Sequence, residues 1–226
     1  MGTISLEKRD SLYWLGRYTE RVYTTLKAFY DYYDQMIDRE ADAYKNLCER
    51  LDIPNIYESE EDFIHRFLFD PNDPNSIFTS LNRSYDNGIL LRNEITSDSL
   101  AYLQMALDIY AASSHSDVPT MALLPVQDYL LAFWACMNDN VWDQRARSII
   151  KCGRYVERLD LYFRLSFPTK EIERTLCKMT PRLKQCGMAY DQEVLDVLYA
   201  RVREKLLHTP GWRRECARLL MSLITE

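Results

Sequence analysis

A Gly-Arg-Tyr-x-Glu-Arg motif occurs twice in the chain, and it limits how the chain can fold. The first copy covers residues 16–21 and the second covers residues 153–158. The wider similarity aligns residues 11–28 with residues 148–165. Each glycine lies inside an otherwise strong helix-forming segment, where glycine costs about 1 kcal/mol relative to alanine. Close approach of another backbone is the usual compensation. We therefore expect the two copies to cross at their glycines, about a pseudo-twofold axis.

Few helix-breaking residues are present in the rest of the chain. The 226 residues include 6 glycines and 8 prolines, about half of the usual share. From Leu15 to Met36, apolar residues and a few polar ones recur at alternating steps of four and three, which is typical of a helix packed at a shallow angle in a bundle. The sequence therefore predicts an all-α, multi-helix bundle that forms a single domain over residues 1–226, with a long N-terminal helix of about eight turns.

Short polar segments and prolines predict where the later helices begin and end. Ser59 is expected to cap a helix, because three acidic residues follow it and favour a helix N-terminus. Thr96 and Thr169 also suit N-cap positions. The C-terminal helices, over residues 170–224, are expected to complete the bundle. The helices predicted after the first two cover residues 77–93, 97–112, 126–137, 141–167, 170–185, 190–207 and 212–224.

The segment around Pro71 and Pro74 predicts a turn between two of these helices. Each proline fixes its own backbone φ angle and prevents a helix from continuing through it. Asn75 or Ser76 can then accept hydrogen bonds from the free N–H groups of the following helix. We expect residues 72–75 to shape the fold and to take no part in chemistry.

The charged residues of the two motif copies are spaced for mutual contact. In each copy the glutamate lies one turn after the glycine and between two arginines, so that a crossing would bring each glutamate to an arginine of the other copy. Three interpretations are open. They are surface Arg–Glu pairs worth a few tenths of a kcal/mol, a buried ion network that fixes the helix register, and a ligand site. In a ligand site the arginines would bind a carboxylate or phosphate, and a glutamate would act as base.

Acidic and basic residues are unevenly distributed. The net charge of −6 argues against nucleic acid as the main partner. Residues 1–140 carry 11 basic and 23 acidic side chains, whereas residues 141–226 carry 17 and 11. Either the two halves attract each other within one fold, or the basic half forms a surface for an acidic partner or an anionic substrate.

The sequence contains no feature that we interpret as a membrane or export signal. The first nine residues lack the apolar core of a secretory signal, and no apolar run approaches the roughly 18 residues that span a bilayer. We therefore expect a cytoplasmic protein without a membrane partner.

The cysteines and histidines do not predict a disulfide framework or a metal site. Six cysteines are scattered without a Cys-x-x-Cys pair, and the three histidines lie far apart in sequence. Asp62 and His65 have the spacing used in carboxylate-bridged di-metal bundles, but the second Glu-x-x-His pair of such bundles is missing. We expect idle thiols, no metal and no cofactor.

Three segments of the chain resemble signatures of a known family. The first is Ser-Leu-Tyr-Trp-Leu-Gly-Arg-Tyr-Thr-Glu-Arg, over residues 11–21. The second covers residues 67–77, with the turn Phe-Asp-Pro-Asn-Asp-Pro-Asn-Ser-Ile at its end, and continues into Asp86-Asn87 and Arg92. The third covers residues 153–160. Within residues 5–165 the chain thus resembles the Alpha-E family, bacterial all-α proteins encoded or fused alongside ATP-grasp amide ligases and transglutaminase-like proteins.

The resemblance implies a common location for the polar residues that the three segments keep. We expect eight side chains from three helices to converge into one cluster at the centre of the bundle, because each is costly to bury alone. Five arginines would face two glutamates there, a surplus of positive charge. Either water and backbone carbonyls offset that surplus within a structural network, which we favour, or an anion such as a peptide or carboxylate ligand binds. The eight residues are Arg17, Glu20, Arg21, Asn87, Arg92, Arg154, Glu157 and Arg158.

The chain also departs from the family pattern. The family has arginine where this chain has Tyr85 and Ile89, so that two cations are missing from the helix that follows the turn. It has asparagine where this chain has Asp73, and tryptophan where this chain has Leu100 and Arg147. The missing cations weaken a ligand role carried over from the family.

Two functions are compatible with these observations. The resemblance implies an accessory or scaffold protein that acts with an ATP-grasp-type amide ligase in bacterial peptide or amide-bond synthesis or modification. The chain has no Gly-rich phosphate loop and no Walker-type lysine, so it does not supply the ATP chemistry itself. The alternative is a stand-alone enzyme that acts on an amide, ester or activated carboxyl through the Arg/Glu/Asn cluster, although no Ser-His or Cys-His arrangement is visible in the sequence.

Overall fold

The computed structural model describes residues 4–38, 43–116, 119–204 and 209–225. It is 79% helical, and the described residues contain no strand. An isolated antiparallel bridge joins Tyr190 to Ile224. The predicted all-α class is therefore confirmed.

The helices follow one another with short connections, and two of them, α5 and α7, are single turns. In chain order they are α1 (Leu6–Ile37), α2 (Ala43–Leu51), α3 (Glu60–Phe69), α4 (Ile77–Leu90), α5 (Arg92–Ile95), α6 (Ser97–Ser113), α7 (Pro119–Ala122), α8 (Leu124–Asn140), α9 (Gln144–Arg164), α10 (Thr169–Cys186), α11 (Gln192–Arg203) and α12 (Trp212–Met221).

The long N-terminal helix organises the core. The hydroxyl of Ser5 caps α1 by accepting a hydrogen bond from the backbone N–H of Lys8 at 3.3 Å. The seam predicted from the apolar spacing is buried, with Leu15, Val22 and Phe29 fully enclosed. α1 packs mainly against α9 and α4, α6 packs against α4 and α8, and α10 and α12 pack on α9. The C-terminal helices thus surround α9. The single-domain division stays a prediction.

Two predicted caps are confirmed. The hydroxyl of Ser59 accepts from the backbone N–H of Asp62 at 3.1 Å and begins α3. That of Ser76 accepts from the backbone N–H of Thr79 at 3.0 Å and begins α4. The turn before α4 is held from inside by the buried carboxylate of Asp73, which accepts from the Tyr57 hydroxyl at 2.7 Å and from the backbone N–H of Asn75 at 2.8 Å.

One further predicted cap is right in position only, and three other predicted boundaries were wrong. Thr96 occupies the N-cap position of α6 but its side chain makes no capping hydrogen bond, because its backbone is left-handed, with φ at +70°. Thr169 is the first residue inside α10, and Pro168 holds the cap position. The predicted helix 141–167 begins later, since the carboxylate of Asp143 caps α9. Likewise the predicted helix 190–207 begins after its cap, Asp191.

The predicted helix over residues 77–93 is divided into two helices. α4 ends at Leu90, and Leu91 leaves the helical conformation with its side chain 1% exposed. The turn at Leu91 places the apolar side chain of this residue in the core, which stabilises the break between the two helices. The ends predicted at Arg39 for the first helix and at Leu207 for the helix before the last lie outside the described residues.

One helical segment is longer and more apolar than expected from the sequence. Thr120–Asn140 is long and apolar enough to cross a membrane by length and composition, a property that core helices of soluble proteins share. In this structure the segment packs against α6, and Val126, Leu130 and Phe133 are fully buried. The expectation that no run approaches membrane-spanning length is therefore corrected.

Candidate functional site

The two motif glycines form the closest approach between α1 and α9. A Cβ atom on Gly16 would lie 2.0 Å from the carbonyl oxygen of Ile150, and one on Gly153 would lie 2.1 Å from the carbonyl oxygen of Tyr13. Non-bonded atoms cannot approach so closely, so any side chain at these positions would force the helices apart. The predicted crossing of the two copies is confirmed.

The charged residues of the two copies form a reciprocal ion network across this crossing. Each glutamate is held by both arginines of the other copy, and each arginine uses its Nε–H. The four N–O distances are 2.6 Å from Arg17 and 2.5 Å from Arg21 to Glu157, and 3.0 Å from Arg154 and 2.6 Å from Arg158 to Glu20.

Both carboxylates are buried, with Glu20 0% and Glu157 1% exposed. Burial raises the pKa of Glu157, but Arg21 and Arg17 outweigh it and hold that pKa below its ordinary value. Glu20 accepts a further hydrogen bond from the Thr24 hydroxyl at 3.0 Å. The interpretation as surface ion pairs is therefore wrong. A carboxylate with two arginine partners and a lowered pKa is also a poor general base, so the geometry favours the network that fixes helix register.

Aromatic rings cover the outer sides of the arginines. The guanidinium of Arg154 lies over the Trp134 ring at 4.1 Å, and that of Arg17 lies over the Trp14 ring at 5.1 Å. Trp14 in turn stacks on Tyr18. Trp134 belongs to α8 and carries no sequence signal that links it to the motif. Its Nε1–H is buried without a hydrogen-bond partner among the described residues.

Two of the eight residues predicted for the cluster do not join the network. The side chain of Asn87 donates to the carbonyl oxygen of Arg83 within α4, at 2.8 Å. Arg92 is exposed in α5, because α4 ends before it. Neither residue pairs with Glu20 or Glu157. The predicted convergence is thus wrong for Asn87 and Arg92, and the other six residues meet.

A cavity of about 220 Å³ lies beside the network. Arg21 of the first copy and Glu157 of the second line it, together with Asn75 of the turn and Ser80 of α4. The two motif regions and the Asp-Pro turn, which are far apart in sequence, therefore share one concave surface. We call this space the motif cavity.

Asp160 is a polar residue of the motif cavity that the sequence analysis did not include in the site. It lies three residues after Glu157 on α9 and pairs with Arg164 at 2.9 Å. Burial raises the pKa of Asp160, although Arg164 opposes the shift. The third signature segment ends at Asp160, so the residue was visible in the sequence. Its position in a cavity depends on the packing of α1, α4 and α9.

The part of the chain that the structure describes contains no group of three or more His, Cys, Asp or Glu residues placed to hold a metal. Asp62, half of the Asp-x-x-His spacing, accepts from the backbone N–H of Glu58 at 3.0 Å and pairs with Arg66 at 3.5 Å. Its carboxylate therefore has protein partners.

Comparison with known proteins identifies a family. The model of the Alpha-E family, described as a predicted alpha-helical domain with a conserved ER motif, matches residues 9–209. The Glu-Arg pairs at 20–21 and 157–158 fit that description. No curated protein and no solved structure matches.

Proposed function

Because the chain belongs to the Alpha-E family, we propose that it is an accessory or scaffold protein for an ATP-grasp-type amide ligase, in bacterial peptide or amide-bond synthesis or modification. The occurrence of family members beside such ligases suggests this partner. The observation that carries the proposal is an exposed, largely apolar face on α8, a helix that contains no lysine or arginine.

The α8 face consists of exposed residues spaced along one side of the helix. Leu124, Asp128, Leu131 and Ala135 follow one another at steps of four, three and four, which places them in one row. Leu124 is 50% and Leu131 is 44% exposed. Just beyond the helix, Trp142 is 93% exposed. Tryptophan is enriched among the residues that dominate binding energy in protein interfaces.

The chain segment that contains this face carries no lysine or arginine of its own, and Arg147 and Lys151 of α9 contact only its end, at Asn138 and Val141. No lysine or arginine occurs between Arg92 and Arg145, a stretch of 52 residues with seven Asp or Glu residues. This stretch includes α6, which packs against α8. A partner that fits must present an apolar stripe bordered by lysine or arginine. An anionic lipid surface would be repelled, so a basic protein surface is the better occupant.

The ion network argues against a stand-alone enzyme that uses Glu20 or Glu157 as its base. Such an enzyme would need a carboxylate that is free to take a proton, within reach of its substrate. Glu20 and Glu157 are each paired with two arginines and buried from solvent. Their position is that of a structural tie between α1 and α9, which suits a scaffold.

The proposal is tested by mixing the purified chain with each ATP-grasp-type ligase from its source genome. Size-exclusion chromatography with light scattering detects a complex, and ATP consumption by the ligase reports its activity. We expect one ligase to bind and to change its turnover. Leu131→Asp and Trp142→Ala should each weaken that complex at least tenfold, because the first buries a charge and the second removes an anchor.

Val197→Asp is the matched control, since Val197 is 43% exposed on α11, away from the α8 face. It should leave the complex intact. The proposal is contradicted if no such ligase binds, or if Val197→Asp weakens binding as much as Leu131→Asp. A homodimer that Leu131→Asp dissociates, or binding to phosphatidylglycerol vesicles, would assign the α8 face to a different occupant.

A further inference from the structure

Several polar side chains that line the motif cavity make no hydrogen bond to another described residue through at least one of their polar atoms. The side chains of Ser80 and Thr25 are 2% and 5% exposed, and neither hydroxyl has a hydrogen-bond partner. The side-chain amide of Asn75 has none either. Asp160 is 7% exposed and accepts from Arg164 only through Oδ1, which leaves Oδ2 free. These polar atoms open into the cavity, and a few polar groups that converge on one concave space are typical of a small-ligand site.

The charges around the cavity balance. Arg21 and Arg164 line it, and Arg17 lies behind them on Glu157. The lining itself holds these two cations and three anions, which are Asp52, Glu157 and Asp160, and the sum reaches zero when Arg17 on Glu157 is included. A site for a simple anion or cation would carry a net charge of the opposite sign. Separated charges that sum to zero, with free donors and a free carboxylate oxygen, suit a ligand that carries both signs.

The size of the cavity limits this ligand further. Pockets for drug-sized molecules occupy about 300–1,000 Å³, whereas this one has about 220 Å³. A nucleotide is too large for it. The cavity reaches the surface near Arg21, whose side chain is 32% exposed, and near Asp52, whose side chain is 81% exposed. A small polar molecule can therefore enter from solvent.

We propose that the motif cavity binds a small zwitterion of the amino-acid class. Its carboxylate meets the guanidinium of Arg21 and the hydroxyls of Thr25 and Ser80, and its ammonium group meets Asp160. This inference deepens the proposed function, since an amide ligase joins an amine to a carboxylate and an amino acid carries both groups. The binding step itself needs no ligase.

The experiment measures binding to the purified chain alone, so that its failure leaves the ligase partnership untouched. Each of the twenty proteinogenic amino acids, at 10 mM, is tested by thermal shift and by saturation-transfer NMR. Inorganic phosphate serves as the simple-anion probe. For each amino acid that binds, its methyl ester and its deaminated analogue are then titrated. We expect at least one amino acid to bind, and each one-charge analogue to bind at least tenfold more weakly.

Thr25→Val and Thr175→Val form a matched pair of variants. Both threonines are 5% exposed and β-branched, but Thr175 lies on α10 outside the cavity. Because valine keeps the shape and removes the hydroxyl, Thr25→Val should raise the Kd about 3- to 10-fold. Thr175→Val should leave it unchanged. Asp160→Asn should weaken binding of the amino acid at least tenfold and leave that of the deaminated analogue unaltered.

Three results would overturn the inference. The first is that no amino acid shifts the melting temperature or gives an NMR signal, including the case in which phosphate alone binds. The second is that the ester and the deaminated analogue bind as tightly as the parent amino acid. The third is that Thr25→Val and Thr175→Val have the same Kd for the amino acid. This comparison tests the inference even if Asp160→Asn fails to fold.

Discussion

Glu157 and Asp160 lie one turn apart on α9, yet their surroundings shift their pKa values in opposite directions. Both are desolvated by burial, which disfavours the charged form. Glu157 has Arg21 and Arg17 on its two oxygens, and its pKa is lowered. Asp160 has Arg164 on one oxygen only, and its pKa is raised. The number of arginine contacts therefore decides which of the two carboxylates strengthens the fold when it ionises.

We predict that Glu157→Gln lowers the free energy of unfolding at pH 7 by about 3 kcal/mol, because it leaves two partly buried guanidiniums without their counter-ion. A lowered pKa adds stability above the ordinary value of 4.5, and this stability is lost as the pH falls through the folded-state value. In urea titrations, the free energies of unfolding of Glu157→Gln and of the parent should therefore become more similar below pH 4.5.

The control for this change is Glu173→Gln. Glu173 pairs with Arg203 at 2.7 Å, but its side chain is 40% exposed. Glu173→Gln should therefore change the urea midpoint of unfolding only slightly, both at pH 7 and below pH 4.5. Equal losses for the two variants would show that burial of the network contributes nothing.

Asp160→Asn is predicted to behave differently from Glu157→Gln. A raised pKa means that ionisation of Asp160 weakens the fold as the pH rises above its ordinary value of 3.8. A neutral amide of the same shape should therefore keep the melting temperature at pH 7 equal to or above that of the parent. A clear fall in the melting temperature, of the kind expected for Glu157→Gln, would contradict the raised pKa.

At the scale of the helices, the crossing of α1 and α9 depends on two missing side chains. The nearest obstacles to a Cβ at Gly16 and Gly153 are backbone carbonyl oxygens, which cannot move without moving a helix. Gly88 differs, because a Cβ there would meet the ends of the Leu100 and Leu103 side chains at 3.0 and 3.1 Å. Flexible side-chain ends can shift at little cost.

We expect Gly153→Ala to destabilise the protein by about 1–3 kcal/mol through overpacking, despite the better helix propensity of alanine. Gly88→Ala should change stability by less, since its propensity gain offsets a small rearrangement. Denaturant unfolding of the two variants measures both values. Equal stabilities for Gly153→Ala and the parent would mean that the helices can separate freely.

The sequence predicted the features that depend on local pattern. Ser59 and Ser76 are caps followed directly by their helices, and the glycines of the repeat require a close backbone, which each copy provides for the other. The features that it did not predict depend on how distant elements pack. Nothing near Trp134 indicates that its ring covers Arg154, and the inclusion of Arg92 assumed a helix that in fact ends at Leu90. The grouping of Ser80, Thr25 and Asp160 around one cavity likewise requires three helices in place.

At the scale of the whole molecule, the ion network joins the acidic and basic halves of the chain. Its residues come from α1 and from α9, and each glutamate meets arginines of the other half. Each half contributes two arginines and one glutamate, so the network does not draw on the difference in net charge between the halves. The cation-free stretch between Arg92 and Arg145 is not involved in this pairing, which leaves it available for a partner.

We predict that a fragment of residues 1–143 does not fold by itself. It would expose the face of α1 that packs against α9 and leave Glu20 buried without Arg154 and Arg158. Mixing it with residues 144–226 should restore helix content and a cooperative melt, as followed by far-ultraviolet circular dichroism. A fragment that melts cooperatively on its own would show that α9 is dispensable.

The likeness of the two crossing segments also has a consequence during synthesis. At about 5–20 residues per second, a ribosome completes the second segment roughly 7–30 s after the first. Throughout that interval the α1 surface is complementary to itself, because it carries a glycine, a glutamate and two arginines in the order that its later partner repeats. Two growing chains on one messenger can therefore pair through α1 before either has its own α9. A symmetric dimer paired through α1 is accordingly the misassembly to which this architecture is most exposed.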